Sequence, residues 1–237
     1  MILGDDFLVI VPARGGSKGV PGKNKKLLNG LPLVSYTIRY ALRLTTPDHI
    51  FLTTDSAEIS EIGEQEGLRV PSLRPGHLSS DDAGTYEVVR YCVERRKEQG
   101  LMYNAVIILQ PTSPFRLIKH MHEALALYSA DVDMVMSVVK AKGNPYYLLM
   151  EEDEAGFLHK SKPSTFTRRQ DIPDVYEING SIYICNAHSL ERHQSFASFT
   201  RIRKYEMDRL YNVDIDDELD WTLAEMMASN RLIAFDQ

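Results

Sequence analysis

Residues 7–26 read FLVIVPARGGSKGVPGKNKK, an apolar run that passes directly into a glycine-rich basic loop. Phe7 to Val11 form a continuous aliphatic run, typical of a strand that is buried on both faces of a parallel sheet. The loop from Pro12 to Lys26 holds five basic residues, four glycines and no acid. Glycines let backbone N–H groups approach an anion, and basic side chains neutralise it. The loop therefore predicts a phosphate cradle at the carboxyl end of a strand.

This loop differs from the two common phosphate-binding motifs. Ser17 stands where a Walker A sequence has glycine, and Asn24 stands where it has Ser or Thr. The dinucleotide pattern G-x-G-x-x-G is also missing. A solvated loop with ordinary surface lysines is the alternative to a phosphate site.

Outward from the loop, strand-like and helix-like segments alternate. The sequence predicts strands at Phe7–Val11, Ile50–Thr54, Ala105–Leu109, Val132–Val139 and Ser181–Cys185, and helices near Val34–Leu42, Ser56–Glu66, Thr85–Gln99 and Leu117–Tyr128. It predicts a last helix whose core face is Leu219, Leu223, Met226 and Met227. This order indicates a doubly wound α/β fold, a mostly parallel, Rossmann-like sheet covered on both faces. We expect one domain over residues 1–237, interrupted by an inserted arm from about Lys140 to Ile178 that is suited to oligomerisation.

Composition narrows the class of protein. The chain has 237 residues and a formal net charge of -6, which argues against a bulk nucleic-acid binder. The two cysteines, Cys92 and Cys185, have neither metal-ligand spacing nor a disulfide framework, so we expect both to be core residues in a reducing cytoplasm. No apolar run approaches 18 residues, and the sequence MILGDDF does not resemble a signal peptide. We therefore expect a cytoplasmic protein that does not bind nucleic acid or cross a membrane.

A second charged segment has the opposite sign. Residues 206–220 contain seven acids and a single base, Arg209. In an extended chain Asp214 and Asp216 project to the same side, and two carboxylates suit Mg²⁺, which commonly completes its shell with substrate phosphates. The alternative is helix N-terminal decoration. We favour that alternative for the three acids that follow, Asp217, Glu218 and Asp220.

Further polar residues follow other predicted elements. Arg74-Pro75 and the segment from Leu78 to Thr85 offer either a base-reading loop or a plain helix entry. Gln110 ends a buried strand, where open α/β sheets bind ligands. The segment Arg168-Arg169-Gln170, with Tyr176, Asn179, Gly180 and Tyr183, mixes bases, aromatics and amides, which suits a hydroxylated anion, although a solvated arm explains it as well. His120 and His122 face different ways on a predicted helix, and we expect both to be solvated.

These segments together resemble the acylneuraminate cytidylyltransferases, the CMP-sialic acid synthetases. VPARGGSKGVPGKN, residues 11–24, is similar to their signature loop. Four later blocks are similar in the same order: Arg74-Pro75 with residues 81–85, LQPTSP at 109–114, Asn179-Gly180 with Tyr183, and the aspartate pair Asp214 and Asp216. The resemblance covers nearly the whole chain.

The resemblance implies that CTP transfers CMP to the anomeric hydroxyl of a 2-keto sugar acid, in a Mg²⁺-dependent homodimer with a nucleotidyltransferase fold. Carried over by position, the nucleotide contacts are Ala13, Arg14, Lys18, Lys23, Asn24, Arg74, Ala83 and Thr85. Arg14, Lys18, Asp214 and Asp216 are catalytic, and the two aspartates bind the metal. The sugar contacts are Gln110, Arg169, Tyr183 and Phe196. This chain has Phe196-Ala197 where the family often has two aromatics, and Thr85 where Ser is common.

Several other functions fit parts of the pattern. Legionaminate and pseudaminate cytidylyltransferases share the Gly-Gly-Ser-Lys motif. The 3-deoxy-octulosonate synthetases share the fold, but they typically have a different first loop and an Asp in place of Gln110. A GT-A glycosyltransferase also uses a D-x-D metal site, although usually in mid-chain. A nucleotide-binding module without catalysis is the remaining alternative.

Overall fold

A computed structural model describes residues 3–80 and 83–236, with only the backbone of Arg169. Its strands are β1 (Phe7–Pro12), β2 (Leu27–Leu28), β3 (Leu31–Pro32), β4 (Ile50–Thr53), β5 (Ala105–Ile108), β6 (Met134–Lys140), β7 (Met150–Glu152), β8 (Leu158–Lys160), β9 (Tyr176–Asn186) and β10 (Ile202–Glu206). Its α-helices are α1 (Leu33–Leu44), α2 (Ala57–Gln65), α3 (Thr85–Glu98), α4 (Ile118–Leu125), α5 (Ala187–Arg192) and α6 (Glu218–Ser229).

Six strands form the central sheet in the order β10-β6-β9-β5-β1-β4. All neighbours run parallel except β9, which is antiparallel to both β5 and β6. The prediction of a mostly parallel sheet is confirmed. The carboxyl ends of β1, β4, β5, β6 and β10 therefore share one edge, where the antiparallel β9 begins.

Alternate residues of each central strand face opposite sides of this sheet. Val9 and Val11 of β1 pack in a cluster that includes residues of α1, α2 and α4. Leu8 and Ile10 pack on the other side in a cluster that includes residues of α3 and α5. Helices thus cover both faces, as the doubly wound prediction requires.

A third hydrophobic cluster joins segments that lie far apart in the sequence. Val20 comes from the basic loop, Val213 and Ile215 flank Asp214, and Trp221 lies in α6; all four side chains are buried together. Burying these side chains brings the basic loop and the acidic segment to the same end of the sheet.

The predicted arm leaves the sheet between β6 and β9. It contains the antiparallel pair β7 and β8, whose residues are mostly exposed. Tyr176, Glu177 and Ile178 pair with β6. The excursion therefore covers residues 141–175 and ends three residues earlier than the sequence suggested.

Two details of the helices correct the sequence predictions. The core face of α6 is Trp221, Ala224, Met227 and Ala228, whereas Leu219 is 77% exposed and Leu223 and Met226 are exposed as well. Two of the four buried positions are therefore alanines, and the large leucines lie on the outer side of the helix. His120 is buried rather than solvated, because its Nδ1 accepts the Leu117 N–H at 3.1 Å and its ring meets Tyr211 at 4.5 Å.

The edge strand β10 was not predicted from the sequence, and it is exposed from Ile202 to Lys204. A strand with a charged, solvated edge has no apolar run to mark it. Among the described residues, no helix has the length and apolar character needed to span a bilayer.

Candidate functional site

A cavity of about 350 Å³ lies at the carboxyl edge of the sheet. Its walls come from the basic loop, from the chain around α3's start, from the loop after β5 and from the acidic segment. The lining residues are Pro12, Arg14, Lys23, Asn24, Arg74, Leu78, Ser80, Ala83, Thr85, Val88, Gln110, Pro111, Thr112, Asp214 and Asp216. Nine of these are residues that the sequence analysis selected.

Asn24 and Asp55 organise the basic loop. The Gly15 N–H donates to Asp55 Oδ1 at 2.7 Å, which ties the loop to the end of β4. The Asn24 Nδ2 donates to the carbonyl of Arg14 at 2.9 Å. Asn24 Oδ1 is buried and accepts no hydrogen bond from any described residue. Asn24 also lines the cavity.

Lys23 connects the basic loop to the acidic segment. Its Nζ donates to the carbonyl of Ile215 at 2.5 Å and lies 3.4 Å from Asp216 Oδ1. At Gly19 a Cβ atom would collide with the carbonyl oxygen of Asp216. The two segments of opposite charge are therefore in direct contact.

Asp214 and Asp216 both line the cavity, but their environments differ. The Asp216 side chain is 79% exposed. Asp214 is half-buried, and Ser113 Oγ donates to its Oδ1 at 3.5 Å. Burial raises the pKa of Asp214 and the charge of Asp216 adds to this, while the hydroxyls of Thr112 and Ser113 and the ammonium of Lys23 oppose it.

This pair fits a hard divalent cation with substrate oxygens. Within residues 3–80 and 83–236, no group of three or more His, Cys, Asp or Glu side chains could hold a metal by itself. Two carboxylates facing one cavity match the way Mg²⁺ is usually held, by one or two protein carboxylates plus phosphates. The Ile215 N–H bonds to the Thr112 carbonyl at 2.9 Å and fixes the backbone between the two aspartates.

Arg74 lines the same cavity. Its side chain is buried, its Nε donates to Ser79 Oγ at 3.1 Å, and its Nη2 lies 3.9 Å from Asp55 Oδ1. Burial lowers the pKa of Arg74, and Asp55 opposes that shift. Ala83 and Thr85 line the cavity nearby, and Thr85 begins α3. Asp81 and Asp82, in the block that suggested a base-reading loop, lie outside the described residues.

The predicted sugar contacts are less closely grouped. Gln110 lines the cavity, and a Cβ atom on Gly180 would lie 2.6 Å from its Oε1 and 3.1 Å from Asp214 Oδ2. Tyr183 is partly buried in β9; burial, with a contribution from Asp214, raises its pKa to about 12. Tyr183 does not line the cavity, and the side chain of Arg169 lies outside the described residues.

Three other predicted residues also fall outside the lining. Phe196 packs edge-on against Tyr86 at 5.1 Å and against Phe199 at 5.6 Å. Ala13 is buried and donates its N–H to the Thr53 carbonyl at 3.0 Å. Lys18 is exposed on the basic loop.

Asp55 and Thr112 contribute to the site although neither was among the predicted site residues. Asp55 follows β4 at the same edge of the sheet, and that position was a usable signal. Thr112 was read only as part of a proline-bounded loop, because its bond to the Ile215 backbone depends on tertiary contacts.

The chain is similar to known proteins over most of its length. The cytidylyltransferase family model matches residues 8–235. The CMP-N,N'-diacetyllegionaminic acid synthase of Legionella pneumophila is 31% identical over 93% of this chain and 95% of its own length. An N-acylneuraminate cytidylyltransferase of Streptococcus agalactiae is 33% identical over 90% of this chain and 51% of its own.

The fold also matches a solved structure. CMP:2-keto-3-deoxy-manno-octonic acid synthetase, complexed with CTP, superposes with a TM-score of 0.68 and covers 95% of this chain and 99% of that one. The two sequences are 14% identical, so this similarity establishes the shared fold.

Proposed function

The chain belongs to the cytidylyltransferase family, and from that premise we propose that it transfers CMP from CTP to the anomeric hydroxyl of a nonulosonic acid, with release of pyrophosphate. One observation carries the proposal: the glycine-rich basic loop and the aspartate pair line a single cavity. A triphosphate needs both positive charge and a metal partner at the same place. The names of the two relatives given above describe reactions of sugar acids of this class.

The nucleotide side of the site is the basic loop and the wall at Arg74. Arg14, Lys18 and Lys23 supply positive charge for the phosphates as negative charge grows on the leaving pyrophosphate. Asn24 holds the backbone of Arg14 in place through its Nδ2 hydrogen bond to the Arg14 carbonyl. Arg74, Ala83 and Thr85 are available to the base and ribose.

Asp214 and Asp216 would hold Mg²⁺. When bound, Mg²⁺ supplies charge neutralisation for the phosphates and acidifies a coordinated oxygen. Lys23 already neutralises Asp216 at 3.4 Å, and a phosphate is the natural alternative partner for its ammonium group. Asp214, with its raised pKa, is held near hydroxyls that favour its charged form.

The sugar acid would bind between Gln110, Gly180 and Tyr183. These residues adjoin Asp214, so an anomeric hydroxyl placed there would face the phosphate held by the basic loop. We favour a sialic-type acid. A legionaminic acid is the second candidate. It is favoured by the match to the Legionella relative, which covers 95% of that protein's length, compared with 51% for the Streptococcus relative.

Pyrophosphate release tests this function directly. Purified protein is assayed with CTP, ATP, GTP or UTP, with and without Mg²⁺. The acceptors are N-acetylneuraminate, N,N'-diacetyllegionaminate, pseudaminate and 3-deoxy-octulosonate. We expect release only with CTP, Mg²⁺ and a nonulosonic acid. Tight CTP binding without release from any acceptor would leave only a nucleotide-binding module.

We also propose that the arm forms a homodimer. Residues 141–175 expose Phe157, which is 71% accessible, together with Leu148, Leu149 and Leu158. Large apolar side chains exposed together on one segment are common at interfaces. Light scattering should give twice the 27.0 kDa chain mass. Phe157→Asp should give a monomer, while Lys162→Asp on the same arm should remain dimeric. A reaction that consumes CTP also agrees with the cytoplasmic location expected from the cysteines.

A further inference from the structure

Arg116 is a fully buried cation beside the site that the proposed reaction does not use. It follows the loop after β5 and is 0% exposed. No carboxylate among the described residues lies within ion-pair distance of its guanidinium. Burial lowers the pKa of Arg116 to about 10, so the group still carries its charge at neutral pH. A buried charge is costly, and it persists where its donors are matched by acceptors.

Three segments supply those acceptors. The Arg116 Nη2 donates to the carbonyl of Gln110 at 2.5 Å, and its Nε donates to the carbonyl of Ser181 at 2.9 Å. Its Nη1 donates to Thr37 Oγ1 of α1 at 3.1 Å. The guanidinium therefore joins the end of β5, the middle of β9 and helix α1.

The first two contacts lie beside the acceptor side of the cavity. Gln110 lines the cavity, and Ser181 lies between Gly180 and the strand segment that carries Tyr183. Gly180 in turn packs against Gln110, Ser113 and Asp214. The nucleotide side is built differently, from the basic loop, Asp55 and Arg74, and no bond from Arg116 reaches these residues within the described chain.

We propose that Arg116 is a positioning residue that sets the spacing between Gln110 and β9, and thereby the shape of the sugar-acid side of the site. The inference rests on the proposed function. It predicts an effect on the sugar acid that is separate from any effect on CTP.

Only an arginine fits this task. Its planar fork directs donors to three acceptors that lie in different directions, whereas a lysine ammonium is a point charge at the end of a flexible chain. A methionine would remove the Arg116 donor from both carbonyl oxygens and leave the Gln110 carbonyl with the longer bond from the Ser113 N–H at 3.3 Å.

The sharpest test changes Thr37, which touches Arg116 and lies outside the cavity. Thr37→Val keeps the shape and removes the acceptor, and Thr37→Ser restores a hydroxyl. We expect Thr37→Val to raise the KM for the sugar acid about ten-fold, as the loss of one charge-assisted hydrogen bond would. The calorimetric Kd for CTP should stay within about two-fold, and Thr37→Ser should resemble wild type.

Arg116→Lys and Arg116→Met extend the series, with the melting temperature recorded for each. Folded variants should lose more than about 100-fold in kcat/KM for the sugar acid while they still bind CTP. Provided that the wild type is active, either of two results would overturn the positioning role. One is an unchanged sugar-acid KM in Thr37→Val, and the other is a rise in the CTP Kd equal to the rise in that KM. A wild type that releases no pyrophosphate with any acid would instead overturn the proposed function, and the acceptor role with it.

Discussion

Gly19 lies against the carbonyl oxygen of Asp216 so closely that any side chain at position 19 would collide with the backbone. The two residues are almost 200 positions apart, yet they join the cationic and anionic halves of the site. Glycine is required here for close approach rather than for a special dihedral angle, because its φ is not in the left-handed region.

Replacing Gly19 by Ala should therefore separate the two halves. We expect kcat/KM to fall at least about ten-fold, with a destabilisation of ~1–3 kcal/mol from the forced overlap. Steady-state pyrophosphate release and chemical denaturation measure the two effects. Gly16→Ala is the matched control, since a Cβ there meets nothing within 4 Å. Equal behaviour of the two variants would contradict the close approach.

Asp216 and Asp217 are adjacent acids in different surroundings. Asp216 is exposed and lines the cavity, while the Asp217 side chain accepts the Leu219 and Asp220 N–H groups at the start of α6. Asp216→Asn should lower kcat at least about 100-fold and raise the Mg²⁺ concentration needed, with an unchanged melting temperature. Asp217→Ala should retain kcat and lose ~1 kcal/mol of stability through the lost cap. If Asp217→Ala lost activity and Asp216→Asn lost only stability, the proposed roles of the two acids would be wrong.

Gly180 combines a left-handed φ of 69° with contacts to Gln110 and Asp214. Gly180→Ala should raise the KM for the sugar acid several-fold, in addition to ~1 kcal/mol of backbone strain. Gly67→Ala separates the two effects, because Gly67 has a φ of 91° and open space around it. The control should lose stability alone, and a sugar-acid KM that is the same in both variants would show that strain explains everything.

The two cysteine thiols should be unreactive in the native protein. Burial raises the pKa of Cys92 from 9.0 to about 12 and also raises that of Cys185. At pH 8 we expect no labelling by a thiol reagent until the chain unfolds, because the thiolate is the reactive form.

The same shift gives a stability prediction with a definite sign. The unfolded Cys92 thiol ionises near pH 9.0, whereas the folded thiol keeps its proton to about 12. The folded state therefore binds more protons in this window, and stability falls as pH rises through it. Melting temperatures between pH 8 and 11 should decline less steeply in Cys92→Ala; an identical slope would contradict the assignment.

The apolar strands β1 and β5 were predictable to within a residue, because a buried parallel strand is marked by its own composition. The edge strand β10 was not, because its exposed residues satisfy no periodic pattern. Which side of α6 faces outward depends on how Ala224 and Ala228 pack. Because this helix is apolar on several sides, its sequence alone does not show which side is buried.

The separate segments of the candidate site were predictable from the sequence, but the way in which they come together was not. The charges of the basic loop and of Asp214 and Asp216 are visible in the sequence, and so is the alternation that lets both aspartates face one side. Their meeting depends on Val20, Val213 and Ile215, which carry no functional signal of their own. Arg116 reads as a surface residue until its three carbonyl and hydroxyl partners are known.

The cluster of Val20 with Val213, Ile215 and Trp221 also constrains the time at which activity can arise during synthesis. Domains begin to fold while the ribosome is still adding residues, and β1, β4 and β5 with their helices precede residue 110. The acidic segment that contacts the basic loop is nevertheless synthesised about 190 residues later. A nascent chain that stops before α6 can bury much of its sheet but lacks Trp221, so the cluster that joins the two charged segments stays incomplete until translation is nearly complete.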